Sequence, residues 1–161
     1  VPSASDLAGG VLAACRARGL RIATAESCTG GMIAAALTDP AGASDVVECG
    51  FVVYSNEAKQ RMLGVSEDLL MRHGAVSAEV AVAMAEGALA RSSADLAVAV
   101  TGIAGPGGAT ATKPVGLVHL ACVRRGCDAV HRREVFPGDR AAVRARTVAT
   151  ALEMIEGAAA S

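Results

Sequence analysis

The sequence predicts an α/β fold, a single three-layer α/β/α domain around a mixed, mostly parallel sheet. Strand-like segments between Leu20 and Val100 are separated by one or more helix-like segments, with another helix-like segment before them from Ser5. The run Leu96 to Val100 is continuously apolar and bounded by turn signals, as in a central strand covered on both faces. Two later strand-like runs flank Arg125-Gly126 and read as an antiparallel hairpin. The 161 residues fall within the roughly 100–200 of one domain, so residues 1–161 are read as one unit with one core. Apolar residues are 52% and charged residues 19%, enough to bury that core and too little charge for a disordered chain.

Each element has a local reason. Leu7, Val11, Leu12 and Cys15 recur at helical spacing between about Ser5 and Arg18, and Gly19 closes that helix. Leu20 to Ala25 reads as a short buried strand, and Gly30 to Leu37 as a helix stopped by Asp39-Pro40. Val46 to Tyr54 is β-branched and apolar enough for a strand, with a helix from Asn56 to Leu63 behind it. Ser66 starts the next helix, with Val65 and Leu70 spaced as a hydrophobic staple. Ser77 caps another that runs to about Ser92. Val115 to Val123 and Ala129 to Phe136 form the hairpin, and a last helix runs from Asp139 to about Ile155. Ligands of such sheets bind beyond the carboxyl ends of the strands, which here means the loops after Ala25, Val53 and Val100.

Composition excludes several functions. A net charge of −1 lacks the broad cationic footprint of a nucleic-acid binder. Aromatic residues are 2%, so no base-stacking platform can be assembled. No apolar stretch approaches the roughly 20 residues that span a bilayer, and Val1 to Ala14 has no basic start, which predicts a cytoplasmic protein. The five cysteines are scattered with no CxxC spacing, so neither a disulfide framework nor a metal site is expected.

Glu26-Ser27-Cys28-Thr29-Gly30-Gly31 places hydroxyls, a thiol and two glycines where a helix begins, a position that favours an oxyanion or phosphate. The plainer reading is that Ser27 or Thr29 only caps the helix. Neither this segment nor Gly102 to Gly108 matches a Walker A loop or a GxGxxG fingerprint. Lys59, one of two lysines, follows Tyr54, the one tyrosine, at a strand-to-helix transition. Desolvated, it would lose basicity and accept the proton of Ser27; exposed, it would merely pair with Glu57 or Asp45. Cys28 is an alternative nucleophile, since a thiol at a helix start has a lowered pKa. Arg140 and Arg144 lie one helical turn apart near Asp139; Arg140 reaches an anion, or the pair forms a solvated face. His73, His119 and His131 read as structural or surface residues, and Arg124, Arg125, His131, Arg132 and Arg133 as a wet hairpin edge.

Three segments read together resemble the CinA carboxy-terminal family, the nicotinamide mononucleotide deamidases: Thr24 to Gly31, Gly50 to Lys59 and Thr101 to Gly108. The likeness continues through Thr112-Lys113-Pro114-Val115-Gly116 and Phe136-Pro137-Gly138-Asp139-Arg140, from about Leu7 to Ile155. Ala109 departs from the pattern, where another Gly or Thr is expected. The resemblance implies the stand-alone form of the domain, hydrolysing the carboxamide of nicotinamide mononucleotide to nicotinate mononucleotide and ammonia in pyridine-nucleotide salvage. It implies Ser27 as nucleophile and Lys59 as general base, assisted by Tyr54 and Thr101. Cys28, Thr29, Gly30, Gly31, Ser44, Asn56, Gly102, Gly105 and Arg140 are the expected substrate contacts, Arg140 and the glycine-rich loop taking the phosphate. No metal or cofactor is expected; the partners implied are the nucleotide and a second copy of the chain. The other class of function compatible with these motifs is a non-catalytic nucleotide-binding module linked to competence or DNA damage.

Overall fold

The computed structural model describes residues 2–161. In chain order the elements are α1 (Ala4–Ala17), β1 (Ile22–Glu26), α2 (Met32–Thr38), β2 (Val47–Val52), α3 (Asn56–Leu63), α4 (Glu67–His73), α5 (Ala78–Ala90), β3 (Leu96–Gly102), β4 (Leu117–Arg124), β5 (Val130–Val135) and α6 (Arg140–Ala160). The strands form one sheet in the order β2-β1-β3-β4-β5. β1 pairs in parallel with β2 and β3, whereas β4 is antiparallel to both β3 and β5. Only β4 therefore opposes the common strand direction, the mixed, mostly parallel sheet that the sequence predicts.

Two hydrophobic layers cover the sheet, assigned by strand alternation. Ile22 of β1 and Leu96, Val98 and Val100 of β3 pack with Val11, Leu12, Ile33, Leu152 and Ile155 of α1, α2 and α6. Ala23, Ala25, Ala97 and Ala99 face the other way, against Val80, Ala81, Met84 and Ala85 of α5 and Leu63 of α3. Small residues on both sides let α5 lie close to the sheet. Gly87 meets the Leu63 carbonyl so closely that a Cβ there would collide with it. No helix of the described residues is long and apolar enough to cross a membrane.

Caps account for most boundaries. Ser3 and Asp6 form a capping box on α1, and Ser55, Ser66, Ser77 and Asp139 each accept a backbone N–H at a helix start. The final helix extends beyond the expected Ile155 to Ala160, its carbonyls at Ala158 and Ala160 accepting from Arg124 and Arg18. The hairpin arginines are thus not merely a wet edge. Arg125 likewise donates to Leu89 O at 3.0 Å and Ala94 O at 2.6 Å, satisfying carbonyls where α5 ends. A 3₁₀ turn at Ala43–Asp45 is an addition, three residues being too short for a periodic signal.

Candidate active site

The loops after β1, β2 and β3 meet at one end of the sheet. Alternation along β1 decides which way the first turn points. Glu26 follows Ile22 and Thr24 onto the α2 side, and Ser27 follows Ala23 and Ala25 onto the α3 side. Ser27 is held from behind by its N–H, which donates to Val100 O. Ser55 caps α3, and the first turn of that helix carries Lys59 inward. Lys59 is 1% exposed, and its Nζ lies 3.1 Å from Ser27 Oγ and 3.1 Å from Tyr54 O.

The exposed-lysine reading therefore fails: Glu57 pairs with Arg61 and Asp45 with Arg16, both away from Lys59. Burial lowers the Lys59 pKa below the usual lysine value, with nearby Cys28 opposing the shift. Cys28 goes the other way from the sequence expectation. Its thiol is buried and pushed up to about 11 by desolvation, so it is a poor nucleophile at neutral pH.

The start of α2 is already occupied. Gly30 and Gly31 turn with φ of 59° and 107°, and no side chain of the N-cap serves the helix. The fully buried Glu26 does so instead, accepting from Thr29 Oγ1 at 2.5 Å, Ile33 N at 2.9 Å and Ala34 N at 3.0 Å. Neither Ser27 nor Thr29 caps α2, and a substrate phosphate has no place where Glu26 sits. Among the described residues the Thr29 N–H has no protein acceptor, and the Cys28 N–H meets only its own thiol. Arg144 of α6 donates to Cys28 O at 3.1 Å and Thr29 O at 3.3 Å.

A cleft of about 210 Å³ opens beside Ser27, lined by Cys28, Tyr54, Gly102, Ile103, Ala104, Gly105, Gly107, Gly108 and Arg140. Arg140 donates to Gly105 O at 2.8 Å and to Tyr54 Oη at 3.1 Å, linking α6 to two of the loops. It makes no ion pair with Asp139, whose carboxylate accepts from Ala142 N. Thr101 Oγ1 donates to Ala75 O at 2.8 Å, so its hydroxyl serves the α4–α5 connection. Five of the nine expected substrate contacts lie outside the cleft lining: the buried Thr29 with Gly30 and Gly31 in the turn itself, and Asn56 and Ser44 further away. Asn56 is at the exposed start of α3, outside the cleft lining. Ser44 is exposed beside the amino-terminal end of β2, whereas Ser27 follows the carboxyl end of β1. Sequence reasoning missed Glu26 and Arg144 as parts of this site; a carboxylate directly before the turn was the available signal. Among the described residues, no three His, Cys, Asp or Glu side chains gather as a metal site. His119 and His131 stack on each other, with ring centroids 5.1 Å apart, away from this cleft.

Comparison with known proteins adds to this geometry. The chain is 52% identical over 142 residues to the nicotinamide-nucleotide amidohydrolase PncC of Escherichia coli (strain K12), covering 88% of this chain and 86% of that one. It is 54% identical over 140 residues to a CinA-like protein of Mycolicibacterium vanbaalenii, of which it spans 33%. The crystal structure of the competence/damage inducible protein CihA from Agrobacterium tumefaciens superposes with a TM-score of 0.95 at 51% identity, covering 98% of this chain and 96% of that one. The model of the CinA C-terminal domain matches residues 4–159, and the chain belongs to that family.

Proposed function

We propose that this protein is a nicotinamide-nucleotide amidohydrolase that converts nicotinamide mononucleotide to nicotinate mononucleotide and ammonia by a Ser-Lys mechanism. The observation that carries the reading is the 3.1 Å contact between Ser27 Oγ and the buried Lys59 Nζ, at the edge of a cleft. A lysine deprived of solvent holds its proton less firmly and serves as a base. A module that only binds nucleotides has no use for that arrangement. That the Escherichia coli relative is a nicotinamide-nucleotide amidohydrolase supports the substrate.

In this mechanism Ser27 Oγ attacks the carboxamide carbon while neutral Lys59 takes its proton. The Tyr54 carbonyl, accepting from Nζ, orients the amine. The negative oxygen of the tetrahedral intermediate is met by the N–H groups of Cys28 and Thr29, neither of which bonds to another residue. The C–N bond then breaks, Lys59 passes its proton to the leaving nitrogen, and ammonia departs. Water, deprotonated by Lys59, hydrolyses the resulting ester and restores Ser27. Every proton in this cycle is handled by Ser27, Lys59 and water, so the cycle as written needs no metal or cofactor. With Glu26 at the start of α2, the 5′-phosphate is assigned to Arg140 and the Gly102 to Gly108 loop. The tyrosine's hydroxyl presets Arg140, while Thr101 braces the floor of the site through Ala75.

The proposal includes a cytoplasmic homodimer acting in pyridine-nucleotide salvage. Incubation with nicotinamide mononucleotide at neutral pH, with chelator present, is expected to yield equal amounts of ammonia and nicotinate mononucleotide. Binding of the nucleotide without ammonia would instead identify a binding module. Sedimentation showing only monomer would remove the dimer.

A further inference from the structure

We propose that Glu26 and Arg144 are positioning residues that hold the Ser27 to Gly31 turn, one through its donors and the other through its carbonyls, and keep Ser27 Oγ within reach of Lys59 Nζ. The inference rests on Ser27 being the nucleophile. Neither side chain bonds to Ser27 or Lys59, and both act through the residues between.

The turn needs such a grip. Gly30 and Gly31 lie in the left-handed region, where glycine is permissive and correspondingly soft. Inside the turn its own hydrogen bonds are few: Gly30 N donates to Ser27 O and Met32 N to Thr29 O. The groups bonded to side chains divide into donors and acceptors. Donors Thr29 Oγ1, Ile33 N and Ala34 N converge on Glu26, and acceptors Cys28 O and Thr29 O face Arg144. Thr29 is held by both.

The residue types follow from that division. All three partners of Glu26 donate, so only a group with acceptors on both arms satisfies them. A glutamine would turn an NH₂ toward one of those donors. The two carbonyls need two donors in a rigid fork, which arginine supplies and lysine supplies only in part. Arg144 lies one helical turn beyond Arg140 on α6, so the helix that reaches the cleft also reaches the turn.

Displacing a reacting atom by about 1 Å costs on the order of 100-fold in rate. In Glu26→Gln and Arg144→Met, kcat for nicotinamide mononucleotide is therefore expected to fall by roughly 10- to 100-fold with KM within about twofold of wild type. Arg144→Lys should recover part of the loss. A general loss of folded protein would not separate kcat from KM or be rescued in this way. Amide exchange supplies a readout independent of the reaction. Ile33 and Ala34 should exchange about tenfold faster in Glu26→Gln, and Gly30 in Arg144→Met, as local opening becomes easier. If Glu26→Gln fails to fold, the Arg144 pair carries the test. Wild-type kcat in Arg144→Met, or unchanged Gly30 exchange, would overturn the proposal. A wild-type protein that releases no ammonia would instead defeat the functional reading, with the exchange experiment still deciding whether the turn is gripped.

Discussion

Lys59 combines a structural cost with a chemical use. Its aliphatic stem is buried, and its amine finds two polar partners, Ser27 Oγ and Tyr54 O. Because burial lowers its pKa, the unfolded chain binds one more proton than the folded one between the folded value and the ordinary lysine value. Stability from this group therefore rises with pH across that window and is least below the folded value. Lys59→Met removes the cost along with the base. Thermal unfolding should show no loss of Tm, while ammonia release falls by about three orders of magnitude or more. Cys28 supplies the contrasting case. With its thiol held near 11, Cys28→Ala should keep activity within about tenfold, whereas Ser27→Ala should lose it. The sequence left these residues open because their roles depend on burial. Nothing local to Asn56-Glu57-Ala58-Lys59 says which way the lysine faces; the packing of α3 against α5 decides it. Cys28 misled for a related reason: the positive end of α2 is taken up by Glu26, and desolvation dominates at the thiol.

Among the elements, the strands and helices were legible from alternation and caps. β1 and β3 read as buried runs, and Ser66, Ser77 and Asp139 mark their helices as expected. What lay beyond the pattern was contact between distant segments. Arg125 looked like a solvated turn residue, yet it reaches carbonyls at the end of α5. Arg125→Ala is expected to cost about 1–3 kcal/mol of stability in denaturant unfolding by leaving two carbonyls less satisfied, with activity per folded molecule unchanged. Gly87 is a second such position. A methyl group there meets the Leu63 carbonyl on the helix that carries Lys59, so the two helices must part. Gly87→Ala should lose on the order of 1–3 kcal/mol by overpacking and lower kcat through displacement of Lys59. At the mouth of the cleft, Arg140→Ala should raise KM for the nucleotide more than it lowers kcat, as measured by steady-state kinetics.

The whole molecule brings three loops, separated by long stretches of chain, to one end of a five-stranded sheet. That convergence was readable in the sequence because each loop follows a strand whose direction the pattern fixes. Ser44 was placed with the site by resemblance alone, and the fold puts it beside the opposite end of the strands within this chain. The cleft borders the buried serine and lysine through Cys28, which follows Ser27, and Tyr54, whose carbonyl accepts from Lys59. The most direct test compares ammonia release from nicotinamide mononucleotide at neutral pH by the wild type, Ser27→Ala and Lys59→Ala, with folding checked by circular dichroism. The wild type is expected to release ammonia, and each folded variant to be slower by about three orders of magnitude. Folded Ser27→Ala or Lys59→Ala protein that still releases ammonia at the wild-type rate would rule out the Ser-Lys mechanism.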